Sequence, residues 1–435
     1  MPIAALVRLL VIYQHAPTPG APGIYRHRML LAELVRRGWH VDLVSSPINY
    51  MDGSVPERYR DATCVREEID GITHHWVQAT DDIQRSFKRR ARNYVTFAWN
   101  ATLRGMRLQR PDIVWASSPP LSVATAGRWV ARRHRVPLAL EVRDLWPESA
   151  AVVGLLSADS APYKVIERFA RTYARAADLT LVPTPGLVEL MQGHGSSEVT
   201  LVTGAIEDRP PADDVRARWR ERLGVPDEAC LFAYVGAHGV VNGLDVLFDA
   251  IELVRADADG WPDVRIVTAG SGSATAALTA RLAERPIAGL EVLGPIPKED
   301  ARDLLAGADV GLHLLRPDPV FASALPTKVL EYLGCHLPFI TTVPGLPGEV
   351  AAATGGDLAP DAGQLADALR RWAQRSPEQR RTTGDLAFAW GETRYGLASS
   401  VDTLEAALRS TIAAGRGAGK RRSKHMQAEP DTNQG

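Results

Sequence analysis

From about residue 9 to about residue 395 the chain repeats one pattern. A short apolar, β-branched run is followed by a longer segment whose apolar positions recur three and four residues apart. The runs at 9–13, 40–45, 112–116, 137–142, 178–182 and 198–202 read as strands. Residues 26–37 put Leu30, Leu31, Leu34 and Val35 on one helical stripe, which Gly38 stops. Residues 207–228 break the rhythm with Arg209-Pro210-Pro211 and many charges. A second series then follows, with strands at 231–235, 264–268, 291–293, 309–314 and 338–342.

Alternating strands and helices predict parallel, doubly wound sheets, and the break at 207–228 predicts two of them. The expected fold class is therefore α/β, with two Rossmann-like domains. Residues 1–206 form the first, with 385–412 packing back on it, and 207–384 the second. Residues 413–435, which include Lys420-Arg421-Arg422-Ser423-Lys424, read as a disordered polar tail. Open parallel sheets bind ligands beyond the carboxyl ends of their strands, so the two halves are expected to face each other across a cleft.

Composition narrows this reading. The 435 residues carry a formal net charge of −1, which gives no global reason to bind nucleic acid. Cys64, Cys230 and Cys335 match no metal or disulfide spacing and read as thiols of a reducing compartment. The apolar N-terminus contains Arg8 and lacks a small-residue cleavage site, so it reads as a buried strand rather than a signal peptide. No apolar stretch approaches the roughly 20 residues needed to span a bilayer. A cytoplasmic protein is expected.

The candidate chemistry is concentrated in the second half. Tyr234-Val235-Gly236-Ala237-His238-Gly239 and Thr268-Ala269-Gly270-Ser271-Gly272-Ser273 are strand–glycine–helix junctions, where backbone N–H groups can approach a phosphate. Leu325-Pro326-Thr327-Lys328-Val329-Leu330-Glu331-Tyr332 reads as a helix start with Lys328 and Glu331 on one face. A lysine there suits a diphosphate and a glutamate one turn later suits ribose hydroxyls; the alternative is an ordinary ion pair on a solvated helix. The chain has six lysines among 50 Lys and Arg residues, two of them in the tail, so a lysine at 328 is a pointed choice.

In the first half, the segment from Pro19 through Gly23 and Arg26 to His27 opens the first helix, and Arg143-Asp144-Leu145-Trp146-Pro147-Glu148 follows the strand at 137–142. Both lie at strand carboxyl ends. Arg143, Asp144 and Glu148 could orient sugar or acceptor hydroxyls, or cap the next helix. Asp257-Ala258-Asp259 resembles a metal-holding aspartate pair but falls between a helix and the next strand, on the side away from the cleft, so it reads as a turn. No metal is expected.

These residues resemble a known family. Gly23 with Arg26, Arg37-Gly38-Trp39-His40-Val41, Val142-Arg143-Asp144-Leu145-Trp146-Pro147-Glu148, Tyr234-Val235-Gly236 and Leu325-Pro326-Thr327-Lys328 with Glu331-Tyr332 are similar to family-4 glycosyltransferases of GT-B fold. The nearest branch contains bacterial fucosamine-type transferases of surface polysaccharide synthesis. The resemblance, over most of residues 8–395, implies a nucleotide-sugar donor, UDP-linked, on the C-terminal half and an acceptor on the N-terminal half. It implies metal-free transfer with retention of configuration, no cofactor, and a leaving phosphate that takes the acceptor proton. Gly236 and Gly239 would line the diphosphate, Lys328 would neutralise it, Glu331 would hold the ribose and Pro295-Ile296 would lie near the base, while His238, Gly270, Gly272, Pro326 and Thr327 are further candidate substrate contacts. In the first half Arg143 and Asp144 are candidate catalytic residues and Gly23, Arg26 and Glu148 candidate substrate contacts, with helix capping still the alternative for Arg143, Asp144 and Glu148. Three departures stand out, the first being Thr203-Gly204 where an Asn-Gly is expected after the last strand of the first half. Ser323 replaces the first of two glutamates usually seven residues apart, and Ala237-His238 and Asn242-Gly243 replace the usual Arg and Lys of the diphosphate loop.

Two other readings share this architecture, a sugar-nucleotide 2-epimerase and a nucleotide-sugar-binding protein without catalysis. The acceptor is expected to be a glycan, a lipid-linked glycan or a small molecule. Residues 85–99 place five cations beside aromatics, with Phe87, Ala91, Tyr94, Val95 and Ala98 able to share a helical face. That segment reads either as an amphipathic helix packed on its own domain with a solvated basic edge or, given the lipid-linked acceptors that the resemblance implies, as a peripheral contact with the inner face of a membrane.

Overall fold

The computed structural model describes residues 6–426 apart from 22–24, 51–52, 81–86, 145, 149–150, 152–155, 257–263, 317–318 and 323–324. The chain forms two compact units: residues 1–19, 23–203 and 400–435 make one, 20–22 and 204–399 the other.

The described elements of the first unit begin with β1 (Arg8–Ile12), α1 (Arg26–Arg36), β2 (His40–Ser45), β3 (Cys64–Ile69), β4 (Ile72–Val77) and α2 (Phe87–Arg107). They continue with β5 (Ile113–Ser118), α3 (Ser122–His134), β6 (Leu138–Val142), α4 (Ala161–Ala176), β7 (Leu179–Val182), α5 (Pro185–Gly193) and β8 (Val199–Leu201). Their sheet order is β3-β4-β2-β1-β5-β6-β7-β8, parallel except where β3 runs against β4. The chain steps one way from β1 to β2 and the other way from β5 to β8. Right-handed crossovers therefore put α1 on one face and α2, α3 and α4 together on the opposite one. Buried side chains such as Leu10, Ile12, Val114, Ala116 and Val130 join that helical layer to the sheet.

The second unit contains α6 (Asp213–Arg222), β9 (Cys230–Val235), α7 (Leu244–Ala256), β10 (Val264–Ala269), α8 (Thr275–Glu284), β11 (Leu290–Leu293), α9 (Lys298–Gly307) and β12 (Val310–His313). The series goes on through α10 (Pro319–Ala322), α11 (Thr327–Gly334), β13 (Phe339–Thr341), α12 (Leu346–Ala353), β14 (Asp357–Leu358), α13 (Ala362–Gln374) and α14 (Pro377–Tyr395). The sheet order β11-β10-β9-β12-β13-β14 is parallel throughout and reverses direction between β9 and β12. Such a switch point leaves a crevice beyond the strand ends, and it falls where the Gly236 loop leaves β9.

Every strand read from the pattern is present. The hairpin of β3 and β4 was not anticipated, although its turn is Asp70-Gly71 with both residues at positive φ, the two-residue signal for a hairpin. Two boundaries also differ. Residues 385–399 belong to the second unit, because glycines let α14 lie against α11: a Cβ on Gly384 would come within 1.9 Å of the His336 carbonyl, and one on Gly391 within 3.1 Å of Leu333. The return to the first unit starts at Ser400, where Arg37 and the Trp39 indole bond to Glu405. The last helix, α15 (Leu397–Met426), extends through most of the expected tail.

At the amino end of β12 the second unit buries a charge cluster. Asp309 accepts from Arg216 at 2.6 Å, Arg220 at 3.0 Å and the Leu231 amide at 2.8 Å, and Arg380 lies 3.7 Å away. One carboxylate thus faces the buried guanidinium groups of Arg220 and Arg380 and the partly exposed one of Arg216. Asp309→Asn leaves those cations without their counter-charge and should cost about 3–5 kcal/mol, read as an earlier urea unfolding midpoint.

Candidate active site

In the second unit the sequence-selected residues of β9, β10 and α11 converge on one ammonium group. Lys328 lies in the first turn of α11, with its Nζ 3.9 Å from the centre of the Tyr234 ring. Pro326 is the N-cap residue of that helix and Thr327 its exposed first residue. Among the described residues no hydrogen bond or ion pair meets the Lys328 ammonium. Burial lowers its pKa to about 8, against a raising pull from Glu331. The reading of Lys328 and Glu331 as an ion pair on a solvated helix therefore does not hold: no such pair forms, and α11 buries Val329, Leu330, Tyr332 and Leu333.

Two glycine loops surround this lysine, and their glycines act by lacking a side chain. Gly236 and Gly270 both have φ of +147°. A Cβ on Gly236 would come within 2.4 Å of the Lys328 Nζ, and one on Gly270 within 1.8 Å of the Gly236 carbonyl. A Cβ on Gly272 would meet the His238 backbone at 2.6 Å. The loops are laced by backbone bonds from Gly236 to Ala269, His238 to Ser271 and Ala274 to His238. The expected display of glycine N–H groups toward a phosphate is corrected here. Gly236 donates to Ala269, Gly239 to the Asn242 side chain, Gly270 to Gly294 and Gly272 to Thr275.

Two neutral imidazoles complete the surroundings. His238 is fully buried, neither ring nitrogen has a partner among the described residues, and burial followed by Lys328 lowers its pKa. His313, at the end of β12, accepts or donates at Nδ1 to the Thr341 hydroxyl at 2.8 Å, and burial with Lys328 takes it down to about 3. Both are uncharged near neutrality, so neither offsets nor adds to the lysine charge. His313 was not foreseen; it sits inside an apolar strand with no motif to mark it.

Glu331 keeps contact with solvent although many atoms surround it, and that crowding raises its pKa against the lowering influence of Lys298, Arg302, Lys328 and Arg209. Lys298, the first residue of α9, is itself lowered to about 8 by burial. Arg302 bonds to Glu207 and Glu299, and Arg209 to Glu207 at 2.6 Å. This collar was missed in the sequence, yet Lys298 is another of the rare lysines and follows Pro295-Ile296-Pro297 directly. Ile296 is half-buried against the core.

In the first unit the strand ends hold a second cluster. Glu141 is fully buried and accepts from Arg26, from the Ser117 hydroxyl at 2.6 Å and from His27 at 2.6 Å. Burial raises its pKa, but Arg26 and His27 outweigh that and hold it well below the usual range. Arg26, expected at a substrate, is committed inward, with its remaining nitrogens on the Val202 and Thr203 carbonyls. Arg143 instead stacks over the Tyr13 ring at 4.8 Å, with its Nε lacking a hydrogen-bond partner among the described residues. His15 lies beside Tyr50 and Tyr94, its pKa taken to about 3 by burial and Arg143. One carboxylate oxygen of Glu148 is buried without a partner among the described residues, whereas Asp144 is exposed. Gly23, Ser323 and Asp257 to Asp259 lie outside the described residues. Among the described residues no group of three His, Cys, Asp or Glu side chains has a metal-holding arrangement.

The crowding at Gly236 gives a direct check on this geometry. Gly236→Ala must displace Lys328 from Tyr234 and strain a positive-φ residue. It should cost about 1–3 kcal/mol in thermal or denaturant unfolding, whereas Gly193→Ala, with nothing within 4 Å, should be near neutral.

Comparison with known proteins agrees with this arrangement. Residues 23–203 match the glycosyl transferase 4-like domain, and residues 229–375 match glycosyl transferases group 1. TuaC of Bacillus subtilis, named for teichuronic acid biosynthesis, is 31% identical over 130 residues, 30% of this chain and 29% of its own. The glycosyltransferase WbjE of Pseudomonas aeruginosa is 23% identical over 54% of this chain and 55% of its own. The chain thus spans about half or less of the length of these curated relatives. The crystal structure of Anabaena HepE in complex with UDP-glucose superposes with a TM-score of 0.66 at 14% identity, covering 93% of this chain and 99% of that one. The chain has a GT-B fold, with residues 23–203 similar to the glycosyl transferase 4-like domain and residues 229–375 similar to glycosyl transferases group 1.

Proposed function

We propose that this chain is a retaining, metal-independent glycosyltransferase that takes a hexose or N-acetylhexosamine from a UDP-linked donor. The observation that carries the reading is the Lys328 ammonium, closely surrounded at a switch point and lacking any counter-ion among the described residues. An anion supplied from outside is the natural partner for such a charge, and a diphosphate is the anion that the family's donors bring. HepE, of like fold, holds UDP-glucose, which supports uridine as the first base to test.

On this reading Lys328 neutralises the departing diphosphate, and Gly236 and Gly270 let the loops approach it. His238 offers a neutral ring nitrogen, Glu331 holds the ribose and Ile296 borders the base. Arg143, Asp144 and Glu148 serve the acceptor and the transferred sugar in the first unit. The bond from the anomeric carbon to the diphosphate breaks while the acceptor oxygen bonds to that carbon on the same face. The acceptor proton passes to a leaving phosphate oxygen, so no protein base is needed. The acceptor is a glycan or lipid-linked glycan of surface polysaccharide synthesis, in keeping with the fucosamine-type branch and with the name of TuaC, and residues 85–99 bring the enzyme to the inner membrane face. Free UDP appearing only when an acceptor is supplied separates transfer from epimerisation and from binding alone.

Calorimetry with UDP tests the donor site. Lys328→Ala should lose most of the affinity and Glu331→Ala a smaller part, while Lys328→Arg recovers some of it. Lys328 is charged below about pH 8 and neutral above it. Wild-type affinity should therefore hold steady up to pH 8 and then fall, by up to about tenfold per pH unit. The arginine variant should show no such fall, because it stays protonated. Wild-type affinity in Lys328→Ala, or a flat profile in the wild type, contradicts the assignment.

Metal independence has its own test. EDTA should leave UDP affinity and turnover within about twofold, since about 1.4 kcal/mol of lost stabilisation would already appear as tenfold. Loss on EDTA that Mg²⁺ restores would show that a metal takes part.

A further inference from the structure

The opposite end of the chemistry from Lys328 is a surface in the first unit. Helices α2, α3 and α4 share one face of its sheet: α2 packs along α3, and the Thr125 hydroxyl of α3 lies 2.6 Å from the Tyr173 hydroxyl of α4. In a chain of net charge −1 these three helices carry six, three and four Arg or Lys residues and one acidic residue, Glu167. Lys88, Arg92, Arg132, Arg133, Lys164 and Arg168 are all exposed.

The same helices expose large apolar side chains. Val95 and Trp99 on α2, Trp129 on α3, and Val165 and Phe169 on α4 are between 52% and 66% exposed. Trp129 stands one turn beyond Thr125 on α3, and Phe169 one turn before Tyr173 on α4 and stacked on it, so both belong to the stripes that meet at the Thr125–Tyr173 bond. The face foreseen on residues 85–99 is rearranged: Ala98 is buried, Asn93 and Phe97 point inward, and the exposed stripe is Lys88, Arg92, Val95 and Trp99.

We infer that this three-helix layer is a docking face for an anionic lipid bilayer, with Trp99, Trp129 and Phe169 entering the interface and the surrounding cations meeting lipid phosphates. Indole and phenyl rings favour the depth of the headgroups, and arginines spaced around them supply attraction that neither ring provides. A second copy of the chain is a poor occupant, since a twofold contact would set one cationic face against another. A nucleic acid would satisfy the cations but leave Val95 and Val165 in water. This inference rests on the glycosyltransferase reading only for its biological setting; the face itself involves no residue of the donor site. It widens the contact from one segment to three helices.

The test is sedimentation of the full chain with vesicles of phosphatidylcholine, alone or mixed with phosphatidylglycerol, followed also by tryptophan emission. Binding should require the anionic lipid, weaken with salt, shift emission to the blue, and allow quenching by brominated acyl chains. Trp99→Ser, Trp129→Ser and Phe169→Ser combined should weaken binding about tenfold or more. Arg92→Glu, Arg132→Glu and Arg168→Glu combined should weaken it at least about 100-fold. Both variants should melt like the wild type and bind UDP unchanged. No vesicle binding, binding that the apolar variant leaves intact, or a preference for RNA over vesicles overturns the inference. If UDP binds normally in those cases the donor site stands; vesicle binding without UDP binding sinks the donor reading alone.

Discussion

A positive charge is held where little nearby can balance it, and much of the second unit is organised around that fact. The Lys328 ammonium rests on the face of Tyr234, whose ring offers the weak attraction of its π electrons rather than a full counter-charge. Two neutral imidazoles, His238 and His313, add no balance. The glycines at 236 and 270 are required because any side chain would push the lysine or the neighbouring loop away. The cost of keeping an ammonium in this setting shows in its lowered pKa, and it is a cost that an anionic ligand removes.

How far the sequence exposed this design varies with the kind of signal involved. Strands such as 40–45 and 230–235 were legible because parallel sheets buried on both faces need unbroken apolar runs. Lys328 stood out because lysine is rare in the chain and this one opens a helix. Of the four lysines ahead of the tail, two lie beside Glu331 and two on the cationic helical layer. Other parts were hidden for physical reasons. His313 is an ordinary strand residue until the fold brings it near Lys328. The amides of Gly236 and Gly239 look available in a motif, and only the hydrogen-bond pattern shows them already occupied. Arg26 matched a family position, yet its partner Glu141 is more than a hundred residues away and pulls it inward.

The two units also spend their buried charges differently. In the first, Glu141 is fully matched by Arg26, His27 and Ser117, a closed arrangement that fixes the ends of β6 and α1 and leaves little to offer a ligand. Arg143, just past the end of the same strand, and Glu148 keep buried polar atoms that have no hydrogen-bond partner among the described residues. In the second, Asp309 gathers its arginines at the amino ends of the strands, and Lys328 stands without a counter-ion among the described residues at the carboxyl ends. The Asp309 cluster and the Lys328 ammonium thus lie at opposite ends of the strands of one sheet, the latter at the end where open parallel sheets bind ligands.

The central claim is that Lys328 is an under-compensated ammonium awaiting a diphosphate. Its own titration tests that most directly, followed by NMR of the side-chain Nζ in protein labelled at lysine, with Lys328→Arg assigning the signal. The account predicts a midpoint near 8 in the free protein and a clear upward move when UDP is added. A midpoint at the ordinary lysine value in the free protein, or one that UDP leaves in place, would contradict it.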